Sequence, residues 1–293
     1  MFLTTEIAKG VSLHIRQTSQ FKTVNFSIKW RAPLTEKTAS ERTVLSNVLQ
    51  HSNEKFPTSA SFRSYLDDLF GTVLYFDTTK RGAEHTLLFN VETVNDQYLS
   101  HGNVLNEVID VMHEAIFKPN FENGQFKEAI VEREKSMVVQ RIESVFDDKS
   151  RYAQKRLTEI LRPNSPASMS ANGNIEDVKA ITPASLTKTY EEMLKNDVID
   201  IYVVGDVDVE QMAEQIKKAL PFTDRENARL PKVADFEGQV EAYTKETQEM
   251  KQGKLHIGYS TPVRFGDEDF ASMQIFNGIF GGYAHSKLFM NVR

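Results

Sequence analysis

The sequence of 293 residues contains no cysteine. This absence excludes disulfide bonds, thiolate nucleophiles and cysteine-ligated zinc sites, and it is compatible with a reducing compartment. The sequence also lacks any apolar run near the roughly 18 residues that a membrane-spanning helix needs. Charged residues enter its N-terminal stretch at Glu6 and Lys9, so it has no signal-peptide hydrophobic region. We therefore expect a cytoplasmic protein without a membrane span.

Basic residues are in deficit. The chain has 35 Lys and Arg against 41 Asp and Glu, which gives a formal net charge of −6. Nucleic-acid-binding proteins usually carry a basic patch, so this balance argues against a nucleic-acid partner and is most simply explained by solubility. Hydrophobic residues make up 40% of the chain, enough for a sizeable core.

The order of periodic segments predicts an α+β fold. Alternating patterns indicate strands, and spacings of three and four indicate helices. The predicted elements are strands at 11–16 and 22–31, a helix at 40–52, a helix at 59–71 that ends at Gly71, two strands within 72–93, helices at 98–118 and 123–161 with an interruption near Asp147–Asp148, a loop at 162–174, a helix from Thr182–Pro183, a strand at 199–208 and a helix at 209–222. We expect a mixed or antiparallel sheet with helices packed on one face.

Polar composition without periodicity divides the chain near its end. Residues 1–222 are predicted to form one domain, and residues 223–250 a linker. Residues 251–293 are predicted to begin a second, similar domain with a strand at 254–261 and two helices. The last of these helices has no cap, so we expect this second domain to be cut short.

One short stretch carries chemical information. The sequence "NVLQH", from Asn47 to His51, has the length and polarity of the motif His-x-x-Glu-His, with only the last histidine present. In that motif, histidines four residues apart lie on one helical face and bind a single Zn²⁺. The glutamate between them takes a proton from the metal-bound water.

The whole chain resembles the insulinase/pitrilysin family of zinc peptidases, which includes mitochondrial processing peptidase. The resemblance is carried by five segments in order: "NVLQH", "YLDDLFGTVLYFDTT", "VEREKSMVVQRIE", "IDIYVVGDVDVEQM" and "FGGYAHSKLFMNVR". It implies a processing-peptidase-like α+β half-domain. It also implies a third zinc ligand, a glutamate on the long helix.

The positions that the resemblance assigns to chemistry are mostly altered. Asn47 stands at the first ligand position, Gln50 at the general base and Arg141 at the third ligand, while His51 is retained as the second ligand. An amide does not accept the proton at working pH, and a guanidinium repels a divalent cation. No catalytic residue is therefore intact, and we expect neither bound zinc nor another cofactor. The resemblance also assigns Arg293 to substrate binding.

The alignment on the long helix leaves alternatives open. A shifted register would place Glu134 or Glu143 at the third ligand position, although neither restores a second imidazole or a base. We interpret the run of Glu128, Glu132, Arg133, Glu134 and Lys135 as a solvated helix face with pairs four residues apart.

Three functions remain at this point. The first is a non-catalytic subunit that supplies chamber wall and substrate-binding surface for a peptide, paired with a family member that keeps His-x-x-Glu-His or with a second copy of itself. The second is an active zinc metalloendopeptidase with unusual ligands, which would require zinc. The third is a stand-alone peptide-binding or scaffold protein.

Overall fold

The computed structural model describes residues 1–100, 102–225, 230–231, 242–259 and 261–292. It divides into two compact units, residues 1–236 and residues 237–293. This division falls inside the stretch 223–250 that the sequence predicts as a linker. Among the described residues, no helix combines the length and apolar content needed to cross a membrane.

The first unit contains the strands. They are β1 (Leu3–Ala8), β2 (Val11–Gln17), β3 (Thr23–Pro33), β4 (Val73–Arg81), β5 (Glu84–Val94), β6 (Phe121–Glu122), β7 (Gln125–Phe126) and β8 (Val198–Gly205). Six of them form one mixed sheet in the order β1-β2-β8-β3-β5-β4, in which only the β2–β8 pair is parallel. Strands β1 and β4 are therefore its two edges.

The helices α1 to α8 belong to the first unit, and α9 and α10 to the second. Their bounds are α1 (Glu36–His51), α2 (Ser59–Asp68), α3 (Val104–Phe117), α4 (Glu128–Asp147), α5 (Lys149–Leu161), α6 (Ile175–Ala180), α7 (Pro183–Asn196), α8 (Val209–Ala219), α9 (Phe270–Asn277) and α10 (Lys287–Val292). Short helical turns occur at Asp96–Tyr98 and Gly278–Gly282.

Alternate residues of the central strands are buried, as the period of two predicts. In β3, Val24, Phe26, Ile28 and Trp30 are fully buried, while the residues between them are half-buried. This buried face packs against the helices, so the expected sheet with helices on one face is confirmed. Gly71 follows the second helix at φ +70°, the left-handed conformation that favours glycine.

Two predicted helices begin too early. Helix α3 starts at Val104 rather than 98, because the preceding residues form a short turn and then reach Gly102 at φ +146°. Helix α4 starts at Glu128 rather than 123, because Asn123 and Gly124 have positive φ in the turn between β6 and β7. The predicted interruption is confirmed: Asp148 separates α4 from α5 and caps α5. Strand β1 and helix α6 were not predicted.

The strand predicted at 254–261 is wrong for the described residues 254–259 and 261, which have no regular structure. Their alternation places Leu255, Ile257 and Tyr259 in phase, yet these side chains are 65% to 81% exposed. A strand is stabilised by hydrogen bonds to a neighbouring strand, and no pairing involves these residues. The two helices predicted after them are present as α9 and α10.

Candidate functional site

The candidate site lies at the C-terminal end of α1, the helix at the centre of the first unit. Thr35 caps this helix through a capping box with Thr38, which fixes where the helix begins. Asn47 and His51 are four residues apart and share one face of its last turns, and Gln50 precedes His51 on an adjacent face. Asn47 and His51 are half-buried and Gln50 is exposed.

A buried arginine fixes the middle of α1. Arg42 donates hydrogen bonds to Asp197 Oδ2 (2.5 Å), to His85 Nδ1 (3.1 Å) and to the carbonyl of Trp30 (2.8 Å). His85 Nε2 in turn donates to the carbonyl of Ala171 (2.9 Å). Because Arg42 is only a donor and the carbonyl only an acceptor, His85 is neutral with its proton on Nε2. Burial, followed by the charge of Arg42, lowers the pKa of His85 to about 4.

The loop at 162–174 covers the same part of α1. Ser40 Oγ accepts a hydrogen bond from the backbone N–H of Asn174 (3.0 Å), and Thr43 Oγ1 donates to the carbonyl of Ala171 (3.1 Å). Gly173 has φ +73°, and a Cβ there would stand 1.9 Å from Ser40 Oγ. Glycine is therefore required at this crossing. These contacts hold the helix in place up to the turn that carries Asn47.

Asn47 lies between two charged side chains of α4. Arg141 Nη2 donates to Asn47 Oδ1 over 3.5 Å. Asn47 also hydrogen-bonds to the carboxylate of Glu134. Burial raises the pKa of Glu134, and Arg133, Arg141 and Asn47 act in the opposite direction. The structure thus brings both Arg141 and Glu134 to Asn47.

The retained histidine is engaged on both ring nitrogens. Arg133 Nη1 donates to His51 Nε2 over 3.2 Å, and His51 Nδ1 lies 3.0 Å from Ser52 Oγ. Since Arg133 is only a donor, Nε2 carries no proton, and Nδ1–H donates to Ser52. Burial lowers the pKa of His51, and the nearby cations Arg133 and Arg63 lower it further. His51 is therefore a neutral imidazole whose outer nitrogen faces a guanidinium.

Gln50 reaches the sheet instead of the long helix. Its Oε1 accepts a hydrogen bond of 2.9 Å from the backbone N–H of Phe76. Phe76 lies in β4, the edge strand next to β5. Gln50 thus serves as an acceptor for a backbone donor that points out of the sheet.

Zinc does not fit this set of side chains. His51 accepts a hydrogen bond from the guanidinium of Arg133, and a second guanidinium, that of Arg141, stands beside Asn47. Positive groups at ligand distance repel a divalent cation. Over the parts of the chain that the structure describes, no group of three or more His, Cys, Asp or Glu side chains has a metal-binding arrangement.

The remaining assignments have different outcomes. Glu143 is exposed and lines a separate cavity of about 490 Å³ with residues of α4, α5 and α6. Arg293 lies outside the described residues. The assignments of Asn47, Gln50, His51 and Arg141 to family positions stay predictions, although the structure does bring Asn47 and Arg141 together.

The interpretation of 128–135 as a solvated face is wrong for two of its residues. Glu134 and Lys135 are buried, and Lys135 Nζ donates to Glu132 (2.7 Å) and to the carbonyl of Ile181 (2.8 Å). Arg133 is exposed but contacts His51, a role that the sequence analysis missed. The sequence did contain a signal for this contact. Arg133 and Arg141 are eight residues apart, a little over two helical turns, so they lie on nearly the same face of α4.

Comparisons with known proteins agree on one family. Residues 180–293 match the family model described as the peptidase M16 inactive domain. A relative from Bacillus subtilis (strain 168), described as "Probable inactive metalloprotease YmfF", is 38% identical over 288 residues, which are 97% of this chain and 67% of that protein.

Solved structures share the fold. A conserved protein from Enterococcus faecalis V583 has a TM-score of 0.86 at 32% identity, covering 100% of this chain and 69% of that one. A peptidase M16 inactive domain from Pseudomonas fluorescens has a TM-score of 0.71 at 16% identity, covering 100% and 68%. The family-model match starts after α1 and α4, whereas the relative from B. subtilis and the two solved structures also cover the candidate site. The chain belongs to the M16 peptidases, the insulinase/pitrilysin family, as a non-catalytic homologue.

Proposed function

We propose that the chain is the non-catalytic member of a pair of M16 chains and supplies chamber wall and peptide-binding surface. In this proposal the partner keeps His-x-x-Glu-His, holds the zinc and cleaves the peptide. The observation that carries the proposal is the guanidinium of Arg141 beside Asn47 within an otherwise intact fold. The buried apolar positions of α1, Val44, Leu45, Val48 and Leu49, pack the helix into the core, so the fold does not depend on the lost ligands.

The peptide-binding surface is the outer edge of β4. An extended peptide adds to an exposed sheet edge through main-chain hydrogen bonds. The N–H groups of Phe76 and Thr78 are engaged by side chains instead, by Gln50 (2.9 Å) and by Asp77 (2.7 Å). Side-chain acceptors of this kind exchange readily for the carbonyls of a peptide. A bound peptide would then pass directly over Gln50.

Two alternatives are less well supported. An active zinc peptidase with unusual ligands would require a metal next to Arg133 and Arg141, and electrostatic repulsion opposes this. A stand-alone peptide-binding protein, or a homodimer, would use the same edge of β4 without a catalytic partner. The proposed location is the cytoplasm.

Purification of the protein under native conditions from its own cells tests the pairing. We expect a second M16 chain with intact His-x-x-Glu-His to co-purify, with zinc near one equivalent on that chain and none on this one. Recovery of this chain alone or only as a homodimer would contradict the heteromeric assembly. Zinc bound to the isolated chain, with peptide cleavage that a chelator abolishes, would overturn its non-catalytic role.

A further inference from the structure

We infer that the peptides recognised at this site carry a carboxylate, which Arg133 and Arg141 bind where the family otherwise holds a cation. The inference rests on the proposed function, because it names the class of peptide that the β4 edge presents to the site. The peptide-binding proposal sets no requirement on the charge of the peptide, whereas this inference requires a negatively charged side chain or terminus.

The two arginines are accessible and flank the altered motif. Both project from α4, and eight residues of helix correspond to about 12 Å between them. The side chain of Arg133 is 63% exposed, and Arg141 is also exposed. Their described contacts with α1 are to neutral acceptors, His51 Nε2 at 3.2 Å and Asn47 Oδ1 at 3.5 Å. Each guanidinium has five N–H donors, so donors remain for a ligand.

The local charge is positive in a protein whose net charge is −6. Arg63 and Arg133 both act on His51, while Arg133 and Arg141 act on Glu134. Glu134 is the carboxylate among them; it is 12% exposed and lies 3.7 Å from Arg133 Nε. Its single negative charge does not balance three guanidinium groups. This cationic cluster, defined as Arg63, Arg133 and Arg141, therefore favours an anion.

The cationic cluster lies within reach of a peptide bound at the outer edge of β4. Gln50 contacts β4, and Asn47, on the neighbouring turn of α1, contacts Arg141. One turn of helix spans about 5.4 Å, a distance that a glutamate or aspartate side chain of a bound peptide can bridge. Arginine binds carboxylates through two parallel hydrogen bonds, a geometry that a neutral amide does not match.

A purely structural role for these arginines makes a different prediction. Cations near the C-terminal end of α1 interact favourably with the helix dipole. In that case, replacing Arg133 and Arg141 would lower stability slightly and would leave peptide selectivity unchanged. The selectivity of peptide binding therefore separates the two roles.

The experiment compares two fluorescent libraries of extended peptides. They are identical except that one carries Asp or Glu at a scanned position where the other carries Asn or Gln. Binding is measured by anisotropy, for the protein alone and with any M16 chain that co-purifies with it. We expect the acidic library to bind at least about tenfold more tightly at low salt, a preference worth roughly 1.4 kcal/mol, and to lose it as salt increases.

Substitutions of the arginines test whether the cationic cluster causes the preference for acidic peptides. Arg133→Gln/Arg141→Gln should abolish it, Arg133→Lys/Arg141→Lys should keep part of it, and Arg151→Gln on α5 is the matched control that should keep all of it. Thermal unfolding checks that each variant is folded. Equal binding of both libraries to the wild type would overturn carboxylate recognition and leave the peptide-binding function intact. Binding of neither library would overturn both.

Discussion

The middle and the end of α1 use polar residues in opposite ways. In the middle, Arg42 is 3% exposed and has three hydrogen-bond partners within 3.1 Å, among them the carboxylate of Asp197. At the end, Asn47 and His51 are half-buried and meet exposed arginines over 3.2 to 3.5 Å. The two regions are fewer than ten residues apart on one helix.

This difference explains how a peptidase fold persists without its chemistry. A buried charge that loses its partner is strongly destabilising, so the Arg42 network resists change. Residues at the partly exposed end can be replaced at little cost to stability. Water can reach this end and form hydrogen bonds with any polar group that a substitution leaves without a partner. Substitutions there change what the site binds, and the helix that carries them stays in place.

The largest effect is expected from breaking the buried pair. Arg42→Met leaves Asp197 in a site where burial already raises its pKa, with only the more distant charge of Arg225 to compensate. We expect a loss of about 3–5 kcal/mol in the free energy of unfolding, measured with chemical denaturant. The double variant Arg42→Met/Asp197→Leu should recover part of this loss, since it removes the uncompensated charge.

Arg141→Met is the control at the other end of the helix. Its exposed side chain makes one long contact with Asn47, so the free energy of unfolding should change by no more than about 0.5 kcal/mol. Equal losses for Arg42→Met and Arg141→Met would remove the distinction between the two regions.

Lowering the pH should decrease the free energy of unfolding, because His85, which contacts the middle of α1, becomes protonated. The folded-state pKa of His85 is lowered to about 4 from 6.5, so the unfolded chain binds the proton first. The contribution of neutral His85 to stability is therefore complete above pH 6.5 and is lost as the pH falls towards about 4. Integrated over this window, the loss is about 3 kcal/mol. The raised pKa of Asp197 acts in the opposite direction.

Comparison with His85→Gln isolates the histidine from the aspartate. Both proteins are unfolded with denaturant at a series of pH values across the same window. The difference between their free energies of unfolding should shrink as the pH falls, because only the wild type loses the contribution of His85. A difference that does not depend on pH would show that His85 does not titrate in this window.

Local patterns predicted much of this architecture from the sequence. The Thr182–Pro183 start of α7, the break at Asp148 and the hairpin of β4 and β5 all follow from turn and capping chemistry. The Arg42 network was beyond reach, because its partners His85 and Asp197 lie 43 and 155 residues away along the chain. Only the assembled sheet and helices bring them together.

The candidate site divides in the same way. Helical spacing placed Asn47 and His51 on one face, and the family resemblance pointed to Gln50 and Arg141. Sequence patterns could not show that Gln50 turns to β4 or that Arg133 faces His51, since both contacts depend on how separate elements pack. The run at 128–135 alternates in charge like a solvated face, and its burial is set by tertiary packing.

Apart from the near-neutral control Arg141→Met, the smallest effect should come from Gln50, and it tests whether the exposed end of α1 regulates the peptide edge. Gln50→Ala removes the acceptor of the Phe76 N–H, whereas Gln50→Glu keeps a carboxylate oxygen that accepts the same bond. A single hydrogen bond contributes about 0.5–1.5 kcal/mol net, so hydrogen exchange at Phe76 should accelerate roughly two- to tenfold in Gln50→Ala only. Exchange at Ile28, in the sheet centre, is the internal control.

The Gln50→Ala variant should also bind extended peptides more tightly, because the N–H of Phe76 no longer has to be released from Gln50. Faster exchange without tighter binding would mean that the peptide does not bind the N–H of Phe76. That result would contradict the proposal that peptides bind at the outer edge of β4.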